Sequence, residues 1–160
     1  MLRSTFLLMI WLLLCYGAAA VGGLLSANGV SSWYPSLIKP SFNPPNWVFG
    51  PVWTLLYGMM AVAAWLVTRH AAQGGEGTRR AIALFLVQLV LNALWSGLFF
   101  GARQPGWAFV EIIALWLAIA ATIAAFLPID RWAAGLMAPY LAWVTFASVL
   151  NGSLWWLNRT

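Results

Sequence analysis

Five stretches of about twenty residues, at 5–25, 47–67, 81–100, 107–127 and 133–157, are apolar on nearly every face. At 1.5 Å of rise per residue each is long enough, as a helix, to cross a hydrocarbon core of about 30 Å. Strands of a membrane barrel would instead alternate apolar and polar side chains over about 10 residues, and these stretches do not. The pattern predicts an all-α integral membrane protein, a bundle of five transmembrane helices forming one domain over residues 1–160. Charge supports this. Only 7% of the chain is charged and 63% is hydrophobic, against about 25% charged in a soluble domain. So few charges cannot keep a surface of this size in water.

The connections differ in kind. Residues 26–46 form the longest and hold Pro35, Pro40, Pro44 and Pro45, so a stiff loop is expected there, with the proline pair opening the second helix. Residues 69–80 contain Gly74-Gly75 and read as a polar turn. The connections at 102–106 and 128–132 are tight, which places successive helices antiparallel. The first stretch is longer than the 7–15-residue apolar core of a signal peptide and reads as a span. The net charge of +5 sits at the ends of the stretches, where basic residues act as interface anchors, and no nucleic-acid partner is expected. Arg3, Arg69, Arg79, Arg80 and Arg131 fall on one side, and Lys39, Arg103 and Arg159 on the other. The positive-inside rule then predicts a cytoplasmic N-terminus.

Tryptophan is the anomaly, at 12 residues. Trp33, Trp107, Trp132, Trp155 and Trp156 lie near segment ends and suit an aromatic belt at headgroup depth. Trp53, Trp95 and Trp143 fall deeper. Trp116, in the fourth stretch, reads as lipid-facing. Polar residues inside the stretches are the second signal. Gln88, Asn92 and Ser96 share one helix face by their spacing, as do Trp143, Ala147 and Asn151, and Trp53 with Tyr57. Such faces either glue helices together, at about 0.6 kcal/mol per hydrogen bond, or line a pocket. Glu111 is the one acid well inside a stretch. It must be shallow, paired or protonated, and it suits either a headgroup depth or a pocket edge.

Signals for chemistry are poor. The single cysteine, Cys15, sits in an apolar run and reads as an inert buried thiol. The single histidine, His70, lies at a helix end beside Arg69. No metal site, carboxylate pair or Ser/His/Asp set can be assembled. Residues 74–77, Gly-Gly-Glu-Gly, lack the strand and the lysine of a phosphate loop.

The proline-rich stretch leads further. It reads Trp33-Tyr34, Leu37, Lys39-Pro40, Pro44-Pro45, Trp47-Val48-Phe49, Pro51-Val52-Trp53 and Leu56-Tyr57. Later come Gln88, Leu91-Asn92, Trp95, Phe99-Phe100-Gly101-Ala102-Arg103-Gln104, Gly106-Trp107-Ala108 and Glu111, then Pro139-Tyr140-Leu141-Ala142-Trp143, Phe146-Ala147 and Leu150-Asn151. In this order the motifs resemble the TspO/MBR family, the tryptophan-rich sensory and translocator proteins, and the resemblance covers nearly the whole chain. It implies a five-helix bundle, often dimeric, with a ligand cavity capped by the first loop. By motif it implies ligand-binding positions at Tyr34, Trp53, Tyr57, Asn92, Trp95, Glu111, Trp143 and Ala147. It implies protoporphyrin IX or another tetrapyrrole as ligand, with no required cofactor, and a location in a bacterial cell membrane. In animal members it implies sterols as well. Here the tyrosine that follows Leu-Asn in their C-terminal sterol motif is replaced by Gly152.

The function expected on this resemblance is a membrane receptor, sensor or carrier that binds porphyrins and related hydrophobic molecules in an aromatic pocket. The alternative is an enzyme that degrades porphyrin in light, with Trp53 and Trp143 as its catalytic pair. A third possibility is a bundle or exporter with no specific ligand. A porphyrin's flat faces suit indole rings, and its propionates would need Lys39 or Arg103. A homodimer is expected through small residues four apart, such as Ala93 with Gly97, Ala18 with Gly22 or Ala19 with Gly23.

Overall fold

The computed structural model describes residues 2–70 and 76–159. The Gly74-Gly75 turn lies outside them. Five long helices make up the described chain: α1 (Leu2–Asn28), α2 (Asn46–His70), α3 (Glu76–Ser96), α4 (Pro105–Phe126) and α5 (Arg131–Leu157). All five are long and apolar enough to cross a membrane. Their outer faces carry Phe6, Leu13, Leu24, Leu55, Val90, Val110 and Leu117, all exposed. Apolar cover on this scale requires lipid, and the chain is an integral membrane protein.

The helices form a closed ring in the order α1, α2, α5, α4, α3 and back to α1. α2 and α5 are thus neighbours although they are far apart in sequence. One half of the ring is solid. Met60, Ala61, Ala64 and Val67 of α2 pack with Phe85 of α3, Ile112, Leu115 and Ile119 of α4, and Met137 of α5, all essentially inaccessible. Alanines on α2 bring its backbone close to its neighbours, which is how helices gain contact where no hydrophobic force drives them together. The other half holds a smaller cluster of Tyr34, Phe99, Ala108, Leu150 and Leu154.

α1 runs well past the expected end at residue 25. A π-helical turn (Gly29–Trp33) and a 3-10 turn (Tyr34–Ser36) continue it before Leu37 turns extended. The polar residues there suggested a loop, but their hydroxyls bond back to their own helix. Ser26 donates to the Gly22 carbonyl at 2.6 Å and Ser31 to Ala27 at 2.9 Å, so serine remains compatible with helix. α3 similarly starts earlier, at Glu76, and ends in a second π-turn (Gly97–Gly101). Arg103 then takes a left-handed φ of 55° to turn the chain into α4, with Pro105 in the first turn. The proline pair sits just before α2 rather than inside it. At the opposite end Asp130 caps α5, its Oδ1 accepting from the Trp132 and Ala133 N–H groups at 2.8 and 3.0 Å.

The shortened first loop, residues 37–45, folds over one end of the bundle. Asn158, just past α5, staples it from both sides: Ile38 N–H donates to Asn158 Oδ1, and Asn158 Nδ2 to the Ile38 carbonyl, each at 2.9 Å. Phe42 lies edge-on to Phe146 of α5, and the Tyr34 hydroxyl donates to Asn43 Oδ1 at 2.7 Å.

Candidate ligand site

Beneath that loop lies a cavity of about 470 Å³, within the range of about 300–1,000 Å³ of small-molecule sites. Four of the helices build it, and α4 contributes nothing to its wall. Tyr34, Trp53, Tyr57, Asn92, Trp95, Trp143 and Ala147 all line it.

The aromatic wall is continuous. Trp53 lies 5.7 Å from Tyr57, 6.2 Å from Tyr140 and 6.5 Å from Trp143, by ring centroids. Trp143 in turn meets Phe49 edge-on at 6.0 Å and Phe146 at 5.4 Å. On the far side Trp95 stacks on Phe99 at 5.5 Å. Trp53 and Trp143 meet edge-on at 88°, and Trp53 and Tyr57 are tilted by 37°, so the rings form one connected wall and not a parallel stack. The Trp53 and Trp143 indole N–H groups have no hydrogen-bond acceptor among the described residues.

The polar groups are tied down. Asn92 accepts from the Tyr57 hydroxyl through Oδ1 and donates to the Tyr140 hydroxyl at 2.8 Å. One amide thereby joins α2, α3 and α5 below the cavity. Trp95 Nε1 donates to Asn151 Oδ1 at 3.0 Å, and Asn151 Nδ2 to the Pro105 carbonyl at 2.8 Å. The two readings of the polar faces are therefore not alternatives. The amides glue the helices, and the glued helices hold the aromatic wall open.

Several expected positions lie elsewhere. Glu111 is 9% exposed and off the cavity wall, and neither carboxylate oxygen has a hydrogen-bond partner. Its helix faces α3 and α5 from outside the cavity. Gln88 shares a face with Asn92 but lies deeper, in the solid half, with its amide against the Met60 sulfur at 3.9 Å. Lys39 donates to the Pro35 and Leu37 carbonyls and Arg103 to Ser32. Both cations stand at the loop end but off the wall. Trp33, half-buried near the end of the first span, also packs edge-on against Phe99 at 5.7 Å. Trp116 is half-buried and donates to Thr145 at 2.8 Å, so it does not simply face lipid.

α1 was missing from the expected site. Tyr16, Ala19, Gly22, Gly23, Ser26 and Ala27 all reach the cavity. Gly22 and Gly97, expected at a dimer face, pack inside the chain instead, Gly22 against Ser96 and Gly97 against Leu25.

A ring of membrane helices around an aromatic cavity under a stapled loop defines a membrane protein with an internal cavity of small-molecule size. Residues 11–157 match the TspO/MBR family, and the chain belongs to that family. Its relatives include the tryptophan-rich protein TspO of Chlorobaculum tepidum, 40% identical over 91% of each chain. The tryptophan-rich sensory protein of Cereibacter sphaeroides is 40% identical over 95% of this chain and 91% of its own. The human translocator protein is 43% identical over 77% of this chain and 73% of its own.

Proposed function

We propose that this chain is a membrane sensor or receptor whose ligand is a flat tetrapyrrole, protoporphyrin IX or a close relative, held in the cavity under the first loop. The observation that carries this reading is the wall formed by Trp53, Trp143, Phe49 and Phe146 around a void of about 470 Å³. A planar apolar ligand stacks on such rings, and indole N–H groups without protein acceptors offer hydrogen bonds to its edge. The names of the relatives, a sensory protein and a translocator, point the same way. On this reading the chain sits in a bacterial cell membrane with its N-terminus cytoplasmic, and Lys39 and Arg103 meet the propionates as these emerge beneath the loop.

Protoporphyrin IX titrated into the chain in nanodiscs should quench tryptophan fluorescence saturably. Trp143→Leu should lose about 1–3 kcal/mol of binding, the scale of a truncated aromatic anchor. Trp107→Leu, at an exposed position away from the cavity, should bind as the parent does. Equal affinities in the two variants, with both folded, would place the ligand elsewhere.

The contact between Trp53 and Trp143 also favours a second reading, light-driven oxidative degradation of the porphyrin with dissolved dioxygen as the oxidant, because adjacent indoles can relay an electron or a hydrogen atom from the excited porphyrin. Illumination should then bleach the porphyrin Soret band in the parent and leave it intact in the Trp53→Phe, Trp143→Phe double variant. Equal bleaching in both would remove this second reading and leave the receptor reading in place.

A further inference from the structure

The cavity is closed on most sides. The loop above it is stapled by Asn158 to α5. Its α2–α5 side is closed by Trp53 against Trp143. On the α1–α3 side a Cβ on Gly22 would lie 3.3 Å from Ser96 Oγ, and one on Gly101 would lie 2.9 Å from the Leu25 carbonyl oxygen.

The α1–α2 side differs. In the solid half the two helices are bonded together: Trp65 Nε1 donates to the Ser4 carbonyl at 2.9 Å, Trp11 Nε1 to Thr68 at 3.0 Å, and the Tyr16 hydroxyl to the Thr54 carbonyl at 3.0 Å. Past Tyr16 and Thr54 no hydrogen bond joins α1 to α2 among the described residues. There Gly23 and Ala27 of α1 and Gly50 and Thr54 of α2 line the cavity and are themselves exposed. A Cβ added at Gly23 or Gly50 meets nothing within 4 Å. A stretch of wall that is exposed, has open space at both glycines and is bridged by no hydrogen bond among the described residues leaves the cavity least closed here, as an opening. Leu24 and Leu55, strongly exposed beside it, put that opening in the hydrocarbon rather than in water.

We propose that the gap between α1 and α2 is a lateral portal, with the Tyr16–Thr54 bond as its sill, through which a ligand dissolved in the bilayer enters and leaves the cavity. The inference rests on the reading of the cavity as a site for a flat apolar molecule. It adds that the ligand arrives edge-on from the membrane, since the small side chains of Gly23, Ala27 and Gly50 leave a slot between two helices. Selection is then partly made by the bilayer: a molecule must partition into lipid before it meets the aromatic wall. The loop need not open for exchange.

Two experiments test this on the full chain in nanodiscs. In the first, Gly23→Leu and Gly50→Leu fill the slot where space is open, and protoporphyrin IX exchange is followed by stopped-flow tryptophan quenching. Association and dissociation rates should both fall about tenfold or more. Gly17→Leu, also in open space but off the cavity wall, should keep parental rates. Parental rates in both plugged variants, or a change in Kd alone, would overturn the portal. The second experiment needs no porphyrin. A lipophilic pyrene maleimide delivered through the bilayer should label the Ala147→Cys variant, and adding Gly50→Leu should slow that labelling about tenfold. It should not slow labelling of the lipid-facing Val149→Cys variant. Slowed labelling without any porphyrin binding would keep the portal and remove the porphyrin reading. Porphyrin binding with labelling and exchange indifferent to the plug would do the reverse.

Discussion

Helix α1 meets its two neighbours in opposite ways. Toward α3, glycines bring backbone onto backbone. Gly29 faces the Phe100 carbonyl, Gly101 faces the Leu25 carbonyl, and the π-turns of both helices lie side by side along this seam. Toward α2, glycines at the same level face nothing. The residue type is shared and the use is reversed. In one seam the missing side chain permits close approach, which is how membrane helices gain contact. In the other it leaves a gap. A glycine in a membrane helix is thus uninformative until its neighbour is known, and substitution separates the two cases by sign.

Gly29→Ala should show the largest effect. Its Cβ would run into the Phe100 carbonyl, a backbone group held in a π-turn that cannot swing aside. Overpacking costs about 1–3 kcal/mol where side chains can yield, and here the top of that range or failure to fold is expected. Thermal melts in detergent report it. A parental melting temperature would show that the α1–α3 seam is looser than its geometry implies.

Asn92→Leu should come next. It leaves the hydroxyls of Tyr57 and Tyr140 without their shared amide, at about 1–3 kcal/mol for buried polar groups left unpaired. Because that amide joins α2, α3 and α5, its loss should also loosen the frame that holds the slot beside α1. Porphyrin exchange should speed up while stability falls. Exchange that slows would mean the cavity had collapsed.

Asn158→Ala removes the two bonds that staple the loop at Ile38 and should cost about 1 kcal/mol. It compares the loop with the gap as routes. Proteolysis within residues 37–45 should accelerate, while porphyrin exchange should stay parental. A large gain in exchange would make the loop the door.

The far end of the bundle offers a pH test that the cavity should ignore. Burial pushes the Asp130 carboxyl up, but the Ala133 and Trp132 N–H groups and the neighbouring His70, 3.4 Å away, outweigh it and hold the pKa below the ordinary value. A depressed folded-state pKa gives stability that is complete above the unfolded value of about 3.9 and is lost as pH falls through the folded one. Asp130→Ala should therefore cost about 1 kcal/mol at neutral pH, the worth of an N-cap, and progressively less below about pH 4. A difference between the two proteins that stays constant down to pH 2 would contradict this.

Much of the site could be read before any coordinates. Trp53 and Tyr57, Asn92 and Ser96, and Trp143 and Ala147 are four apart on stretches whose helical form was dictated by lipid, so their shared faces followed. α1 could not be read this way. Apart from Tyr16 its lining is Gly, Ala and Ser, which carry no direction in an apolar run, and the small-residue pairs suggested a dimer face instead. The end of α1 was misplaced because serines that bond to their own helix look in sequence like a loop. Glu111 was placed at the pocket by motif, but which neighbours a helix faces depends on the ring order. That order, with α5 between α2 and α4, comes from non-local packing.

The smallest effect should be the most telling for the comparison. Gly23→Ala and Gly50→Ala add a methyl group where nothing lies within 4 Å. Glycine inside a helix costs roughly 0.5–1 kcal/mol relative to alanine, and in open space no clash offsets that gain. Each variant should therefore be slightly more stable than the parent, by about half a kcal/mol, and opposite in sign to Gly29→Ala. A single methyl group should narrow the slot without closing it, so porphyrin exchange should slow by less than in the leucine variants. Melting temperatures and exchange rates on the same preparations separate the cases. Destabilisation at Gly23 or Gly50 comparable to that at Gly29 would mean that α1 also packs closely on α2, and the asymmetry of its two seams would be gone.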